Sequence, residues 1–376
     1  MLHKREHLET LENQTLAPYG FRSGDSRGRA YKEAPPLYRT CFHRDRDRIL
    51  HSTAFRRLEY KTQVFVYSEG DDYRTRLTHT LEVAQIGRSL ATALGANEVL
   101  VEAICLAHDL GHPAFGHAGE YTLNELMADN GGFDHNKQSL RIVQKLEHRY
   151  PEFPGLNLSW EVLEGIVKHE TEYDVADAED FDPDLRGTLE AQLANPADEL
   201  AYTAHDLDDG LYSGLINPED LADLDLWRYV RESVGWDGTE FNTLWRHRMV
   251  RRLLGLMIND AIQATGQRIQ SQSIPSVAEI QSLSQNVVAH TNEMMAMIQG
   301  LKAFLYENLY RHPRVMRMER KAVRIITALF EAYTEEPRQL PYVEQAKLER
   351  RSLHRVVCDR YALQEYAKMF DPLERV

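Results

Sequence analysis

Twice in succession between residues 74 and 108 the apolar side chains recur at a helical period, and this constrains the fold more than any other feature. Leu77, Leu81, Ala84, Leu90, Ala91 and Leu94 fall roughly on one face, and Gly95 stops that run. Asn97 is placed to cap the next run, in which Val99, Leu100, Ala103, Ile104 and Leu106 lead up to His108. Pro113, Gly116 and Gly119 then break the pattern. Further helical segments are predicted near 119–129, 136–149, 159–170, 197–213, 218–234 and 240–265. The C-terminal third reads as long helices near 276–311, 314–335 and 343–369. Strand signals are rare; QVFVY at 63–67 is the best and reads as a short hairpin arm. The expected class is therefore all-α. Residues 1–40, rich in Gly, Ser, Pro and Arg, read as irregular, and the acidic stretch 172–184 as a solvated loop. No internal repeat or low-complexity tract is apparent.

The chain has 376 residues, 43% of them hydrophobic and 27% charged, ample for a buried core. Its 44 Lys and Arg against 58 Asp and Glu leave a formal charge of −14. A surface this acidic argues against a general nucleic-acid coat or a binder of anionic membranes. It does not exclude a small anionic substrate, because a metal and a few local cations can invert the field inside one cleft. The three cysteines, Cys41, Cys105 and Cys358, are widely separated and form no CxxC pair, so neither a disulfide framework nor a zinc ribbon is expected. The start, MLHKREHLETLENQ, lacks the apolar core of a signal peptide, and no run approaches a membrane span. A soluble, cytoplasmic protein without a membrane partner is the expectation.

The segment AHDLGHPAFGHAGE, residues 107–120, is the most informative in the chain. It carries His108, Asp109, His112, His117 and Glu120, interleaved with three glycines and a proline. Adjacent His108 and Asp109 at the end of an apolar helix suit one divalent ion; imidazole with carboxylate favours Mn, Fe, Co, Ni or Zn, and carboxylate also suits Mg. More ligands are needed, and His79 in RTRLTHTLEVAQ and Asp198 in NPADELAYTAHDLDDG lie at the starts of other helical segments. A lone histidine near a helix is ordinarily a hydrogen-bonded structural residue, and an isolated His-Asp pair means little. The order H … HD … D on successive helices, with a glycine-rich continuation, is far more demanding and specifies a metal site.

That order resembles the signature of the HD phosphohydrolase superfamily, and the flanking segments resemble the deoxyguanosinetriphosphate triphosphohydrolase-like (dNTPase) family. Four blocks carry the resemblance: RTCFHRDRDRILHSTAFRRLEYKTQVF (39–65), RTRLTHTLEVAQIGRSLA (74–91), AHDLGHPAFGHAGE with FDHNKQSLRIVQ (107–144), and ADELAYTAHDLDDG (197–210). A weaker block, LKAFLYENLYRHPRV, covers 301–315. His43 stands where such relatives would have Gln, and the chain is shorter than the long enterobacterial members. The resemblance implies an HD-domain helical bundle core over 41–215. Residues 216–376 would pack on it as additional helices and complete the nucleotide pocket.

The reaction it implies is attack of water on the α-phosphorus of a deoxynucleoside triphosphate, releasing a deoxynucleoside and tripolyphosphate. One divalent ion per subunit (Mn2+, Mg2+ or Fe2+) would be held by His79, His108, Asp109 and Asp198. His117 and Glu120 would stand beside the attacked phosphorus, the acid orienting the imidazole. His135 matches another active-site histidine; which of the two histidines protonates the leaving oxygen stays open. Asp198, Tyr202 and Asp206 recur every four residues on one helix face. The resemblance makes the first a ligand, the second the sugar contact that excludes a 2′-hydroxyl, and the third an acceptor for the 3′-hydroxyl, also read by Gln63.

Arg76, three residues before His79, would face the phosphates, and Lys302 matches a triphosphate cation more loosely. Tyr306 or Tyr310 would line the base pocket, and His112 would lie near the base or phosphates. His169 is read as structural rather than as an extra ligand of a binuclear variant. The alternating charges of residues 44–48 suggest an internal salt-bridge lattice or a subunit contact. Two rival functions are another HD phosphohydrolase, such as a 5′-nucleotidase, and a non-catalytic dNTP- or DNA-binding regulator. By analogy alone, subunits would assemble as a homo-oligomer, a hexamer, with dNTP activators between subunits and single-stranded DNA as an effector.

Overall fold

The computed structural model describes residues 2–64, 73–169, 180–238 and 240–363. The architecture is all-α: among the described residues there is no sheet, only the isolated bridges Arg29–Ser159, Thr62–Thr75 and His148–Gly155. Phe65–Tyr67 of the predicted hairpin arm, and most of the acidic stretch, lie outside the described residues. No helix among those described is long and apolar enough to cross a membrane.

The centre is three helices, Arg76–Leu94, Glu98–Ala107 and Leu189–Tyr212, packed on one another. Their ends are set as the sequence requires. Gly95 closes the first helix at φ 70°, where a side chain would be strained. The Asn97 side chain accepts from the backbone N–H of Val99 and Leu100 to open the second. Ile86, Leu90, Leu100, Ile104, Leu193 and Leu200 are fully buried between them. Each such side chain contributes roughly 1.5–3 kcal/mol by leaving water. A second, smaller core joins Leu123, Met127 and Phe133 to Ile326, Phe330, Val356 and Val357. It docks the helices Pro313–Glu335 and Leu353–Leu363 beside the helix Gly116–Leu126.

Some predicted elements are corrected. Residues 1–40 contain a helix, Arg5–Thr15, which exposes most of its side chains and so shows little apolar periodicity. The third central helix begins at Leu189, capped by Thr188, and runs through Pro196 instead of starting after it. The predicted helix 276–311 is divided into Val277–Ser282 and Asn292–Leu305, the latter continued by a π turn at Tyr306–Tyr310. The alternating charges of 44–48 do form an internal lattice. Asp45 is wholly buried, paired with Arg29 and accepting from the Ser159 hydroxyl at 2.6 Å. Arg48 donates to Glu33 at 2.6 Å and to the Leu156 carbonyl at 2.9 Å, with its guanidinium over Tyr150.

Candidate active site

The three central helices bring His79, His108 and Asp198 together, with a donor atom from each within 4.8 Å of the others. His79 Nε2 lies 2.9 Å and His108 Nε2 3.5 Å from Asp198 Oδ1. The tautomers are set from behind. His108 Nδ1 donates to the Cys105 carbonyl at 2.6 Å, so its Nε2 carries the lone pair. Among the described residues that Nε2 is buried without a hydrogen-bond partner, an expensive arrangement unless a ligand completes it. His79 Nδ1 lies 3.3 Å from His205 Nδ1, and the far nitrogen of His205 rests against the Glu82 carboxylate. This Glu82–His205–His79 chain likewise turns the lone pair of His79 Nε2 toward Asp198.

The two carboxylates dominate the field around His108. Burial works to keep the His108 imidazole neutral, but the Asp109 and Asp198 carboxylates outweigh it and lift its pKa to about 9. Burial likewise opposes ionisation of Asp198, yet His108, His169 and His79 hold its pKa well below the usual carboxylate range. Two imidazoles and a carboxylate converging in such a field fit a divalent cation of the Mn, Fe or Zn type. His169, read from sequence as structural, sits in this cluster: it is fully buried with Nε2 3.6 Å from Asp198 Oδ2.

Asp109, predicted as the fourth ligand, is not part of the triad. Both its oxygens accept from Arg76 Nη1, at 3.0 and 2.9 Å, and Oδ1 also lies 2.9 Å from His112 Nδ1. Oδ1 remains 3.5 Å from His108 Nε2, adjacent to the triad. Arg76 is itself buried and donates Nε to the Thr62 carbonyl. The turn that carries Asp109 is clamped from two sides. A Cβ at Gly111 would fall 2.1 Å from the His135 carbonyl oxygen, so only glycine fits there. On the other side Nζ of the buried Lys61 donates to the Leu110 carbonyl at 3.1 Å.

The second cluster is built on Glu120. Its Oε1 accepts from the His135 backbone N–H at 2.8 Å and pairs with His135 Nδ1 at 2.9 Å, while Oε2 faces His117 Nδ1 at 3.7 Å. Burial opposes ionisation of Glu120, but the bonds from His117 and His135 hold its pKa far below the usual range. The residue is a fixed carboxylate anchoring two imidazoles. His117 and Glu120 do share a helix face, on Gly116–Leu126. His135 is buried, and its ring lies 3.9 Å from that of His112.

Both clusters open on one cavity of about 290 Å³. Gln63, Arg76, His112, Tyr202, Lys302, Tyr306 and Tyr310, the residues assigned from sequence to the substrate, all line it. Lys302 pairs with Glu199 at 3.0 Å, and Tyr202 stacks against Tyr310 with ring centroids 6.2 Å apart. Asp206 is placed differently from its predicted contact with a sugar hydroxyl. It is wholly buried, outside the cavity lining, and accepts a hydrogen bond from the Tyr310 hydroxyl. It holds Tyr310, and Tyr310 meets the cavity. Gln63 Oε1 is buried with no hydrogen-bond partner among the described residues, a free acceptor at the wall.

Residues 76–207 match the HD domain family, and residues 288–368 match the phosphohydrolase-associated domain family. A deoxyguanosinetriphosphate triphosphohydrolase-like protein of Geobacter metallireducens is 50% identical, covering 97% of each chain. Another of the same description from Geobacter sulfurreducens is 49% identical over 99% of this chain and all of its own. A third, from Deinococcus deserti, is 48% identical over 98% of this chain and 97% of its own. The chain belongs to the deoxyguanosinetriphosphate triphosphohydrolase-like family.

As an HD-domain phosphohydrolase, the chain uses residues that sequence reasoning did not single out. Glu82 and His205 orient a candidate ligand, although Glu82, three residues after His79 on one helix, had the right spacing to be noticed. Phe115, at φ 69°, and Met318 complete the cavity wall, the latter from the second core's long helix. Asp359, remote in sequence, accepts from Arg141 at 2.9 and 2.8 Å and from Gln138 at 3.3 Å, fixing the helix that begins at His135.

Proposed function

We propose that this phosphohydrolase is a deoxynucleoside triphosphate triphosphohydrolase, acting on dGTP and related dNTPs. The observation that carries the proposal is the single cavity shared by the His79–His108–Asp198 triad and the Glu120-anchored histidines. A divalent ion bound there would supply charge neutralisation at the α-phosphate and would lower the pKa of a bound water. His79, His108 and Asp198 would hold it, and Asp109, 3.5 Å from His108 Nε2, would reach it only by loosening its bonds to Arg76.

The chain's own residues do the rest. His117 is half-exposed at the cavity, and with Nδ1 turned to Glu120 its Nε2 can carry the proton for the leaving 5′-oxygen. His135 is buried and doubly tied to Glu120, so it positions that carboxylate rather than delivering the proton. Arg76 commits Nε and Nη1 to Thr62 and Asp109, and its Nη2 is left to meet a phosphate oxygen. Lys302 adds a second cation at the wall. Tyr202 crowds the sugar and selects deoxyribose, while Gln63 accepts from the 3′-hydroxyl.

The test is identification of the inorganic product by ion chromatography, with each dNTP alone and in mixtures, under Mg2+ or Mn2+. Tripolyphosphate from dNTPs supports the proposal; orthophosphate from dNMPs assayed in parallel, with dNTPs intact, points to a 5′-nucleotidase-type reaction, and no turnover with either to a non-catalytic regulator. Turnover that rises only in mixtures would support dNTP activation between subunits.

A further inference from the structure

We propose that the protein has a second cation site, made by His112, His117 and Glu120, which takes a late transition ion such as Zn2+ and thereby inhibits the enzyme. Donor atoms of these three residues lie within 4.8 Å of one another. The ring of His112 is buried in the cavity wall, and its Nε2 meets no hydrogen-bond partner among the described residues. Its Nδ1 lies 2.9 Å from Asp109 Oδ1, so the carboxylate favours the proton on that nitrogen and the lone pair on Nε2. Glu120 spends Oε1 on His135 and keeps Oε2 on the side of His117.

Two imidazole nitrogens and one carboxylate oxygen form a donor set suited to zinc with an open coordination position. Zinc bonds of about 2.0–2.2 Å in a tetrahedral arrangement need donors roughly 3.3 Å apart. The cluster must therefore tighten, and the His117 side chain, 53% exposed, has the freedom to do so. Mg2+ prefers oxygen donors and retains its waters, so it has little reason to enter. An ion in this site occupies the imidazole that carries the proton in the proposed reaction; the inhibition rests on that reading, whereas the binding does not.

The experiment measures zinc per subunit after chelator stripping and dialysis against buffered Zn2+, for the wild type, H117A, E120Q and H79A. The wild type should hold about two ions. H117A and E120Q should each hold about one, and H79A should lose the triad ion but keep the other. His117 is half-exposed, so its removal leaves the fold intact, as thermal melts would verify. In parallel, zinc added to the Mg2+-loaded wild type turning over dGTP should reduce the rate at least tenfold, reversibly on chelation. A single zinc per wild-type subunit, or a second zinc that persists in both H117A and E120Q, overturns the site. Two ions with the expected losses but undiminished turnover would retain the site and overturn the inhibition, and with it the role of His117 as proton donor.

Discussion

The most exposed part of the metal assignment is the support behind His79. Its Nδ1 meets His205 Nδ1 at 3.3 Å, and His205 in turn rests on Glu82. Replacing His205 by Leu keeps most of the buried volume but removes the acceptor, so the imidazole of His79 can turn or change tautomer. Outer-shell groups of this kind are worth about 10–100-fold in metal affinity, or roughly 1.4–2.7 kcal/mol. Glu82 sits one step further out, with 44% of its side chain exposed to water that can replace it. E82A should therefore cost less, about 10-fold, at the lower end of what outer-shell losses give. The assay is competition for Mn2+ against a chelating dye, with unfolding in chelator as a control for fold. The expected order is wild type tighter than E82A, and E82A tighter than H205L. Affinities equal within twofold in properly folded H205L would refute the argument that this chain orients the ligand.

Lys61 tests burial beside the site. Burial, with the Arg76 charge adding to it, brings its pKa down from an ordinary 10.5 to about 7. Between those values the unfolded chain binds more protons than the folded one, so this residue's contribution to stability rises with pH, by roughly 1 kcal/mol per unit. K61M should flatten the gain that the wild type shows between pH 7.5 and 9 in urea unfolding; parallel slopes would show that Lys61 is not neutralised. D359N loosens the helix that begins at His135 and should cost about 1–3 kcal/mol in unfolding. Its turnover should fall while metal affinity holds, and a matching loss of metal would contradict that division. Y310F removes the hydroxyl bonded to the buried Asp206 carboxyl, whose pKa burial raises well above the usual range, at about 1–3 kcal/mol. Thermal melts should show the loss and kinetics a raised KM; an unchanged melting temperature would mean that Asp206 is satisfied elsewhere.

The central helices were legible because their apolar period and their caps agree: Gly95 and Asn97 each do in the fold what their chemistry favours. The triad was legible because its three residues stand in distinctive local patterns. Less visible was whatever depends on contacts between distant segments. Nothing near Arg141 announces that Asp359 will hold it. The Arg5–Thr15 helix buries no residue, so period-based reading had little to detect. The four-residue spacing of Asp198, Tyr202 and Asp206 is correct for one face of a helix, but shared direction is not shared depth. Asp206 lies at the level of Tyr310, which takes its carboxylate and stands between it and the cavity.

The two halves of the proposed chemistry stand on different cores, and that separation has consequences. His79, His108 and Asp198 belong to helices locked by the large first core. His117 and Glu120 belong to a helix whose buried Leu123 packs in the smaller second core, with Ile326, Phe330 and Val356 from the C-terminal helices. Met318 and Ala322, on the same C-terminal helix as Ile326 and Phe330, also line the cavity. The smaller cluster holds far fewer buried apolar residues, so it is expected to open before the first. Opening it would move His117, the proposed proton donor, and the cavity wall together while leaving the His79–His108–Asp198 triad in register. Perturbation of the C-terminal third should therefore appear first in turnover and substrate binding, and only later in metal content. That order follows from which core carries which side chain, and distance from the cation alone would not predict it.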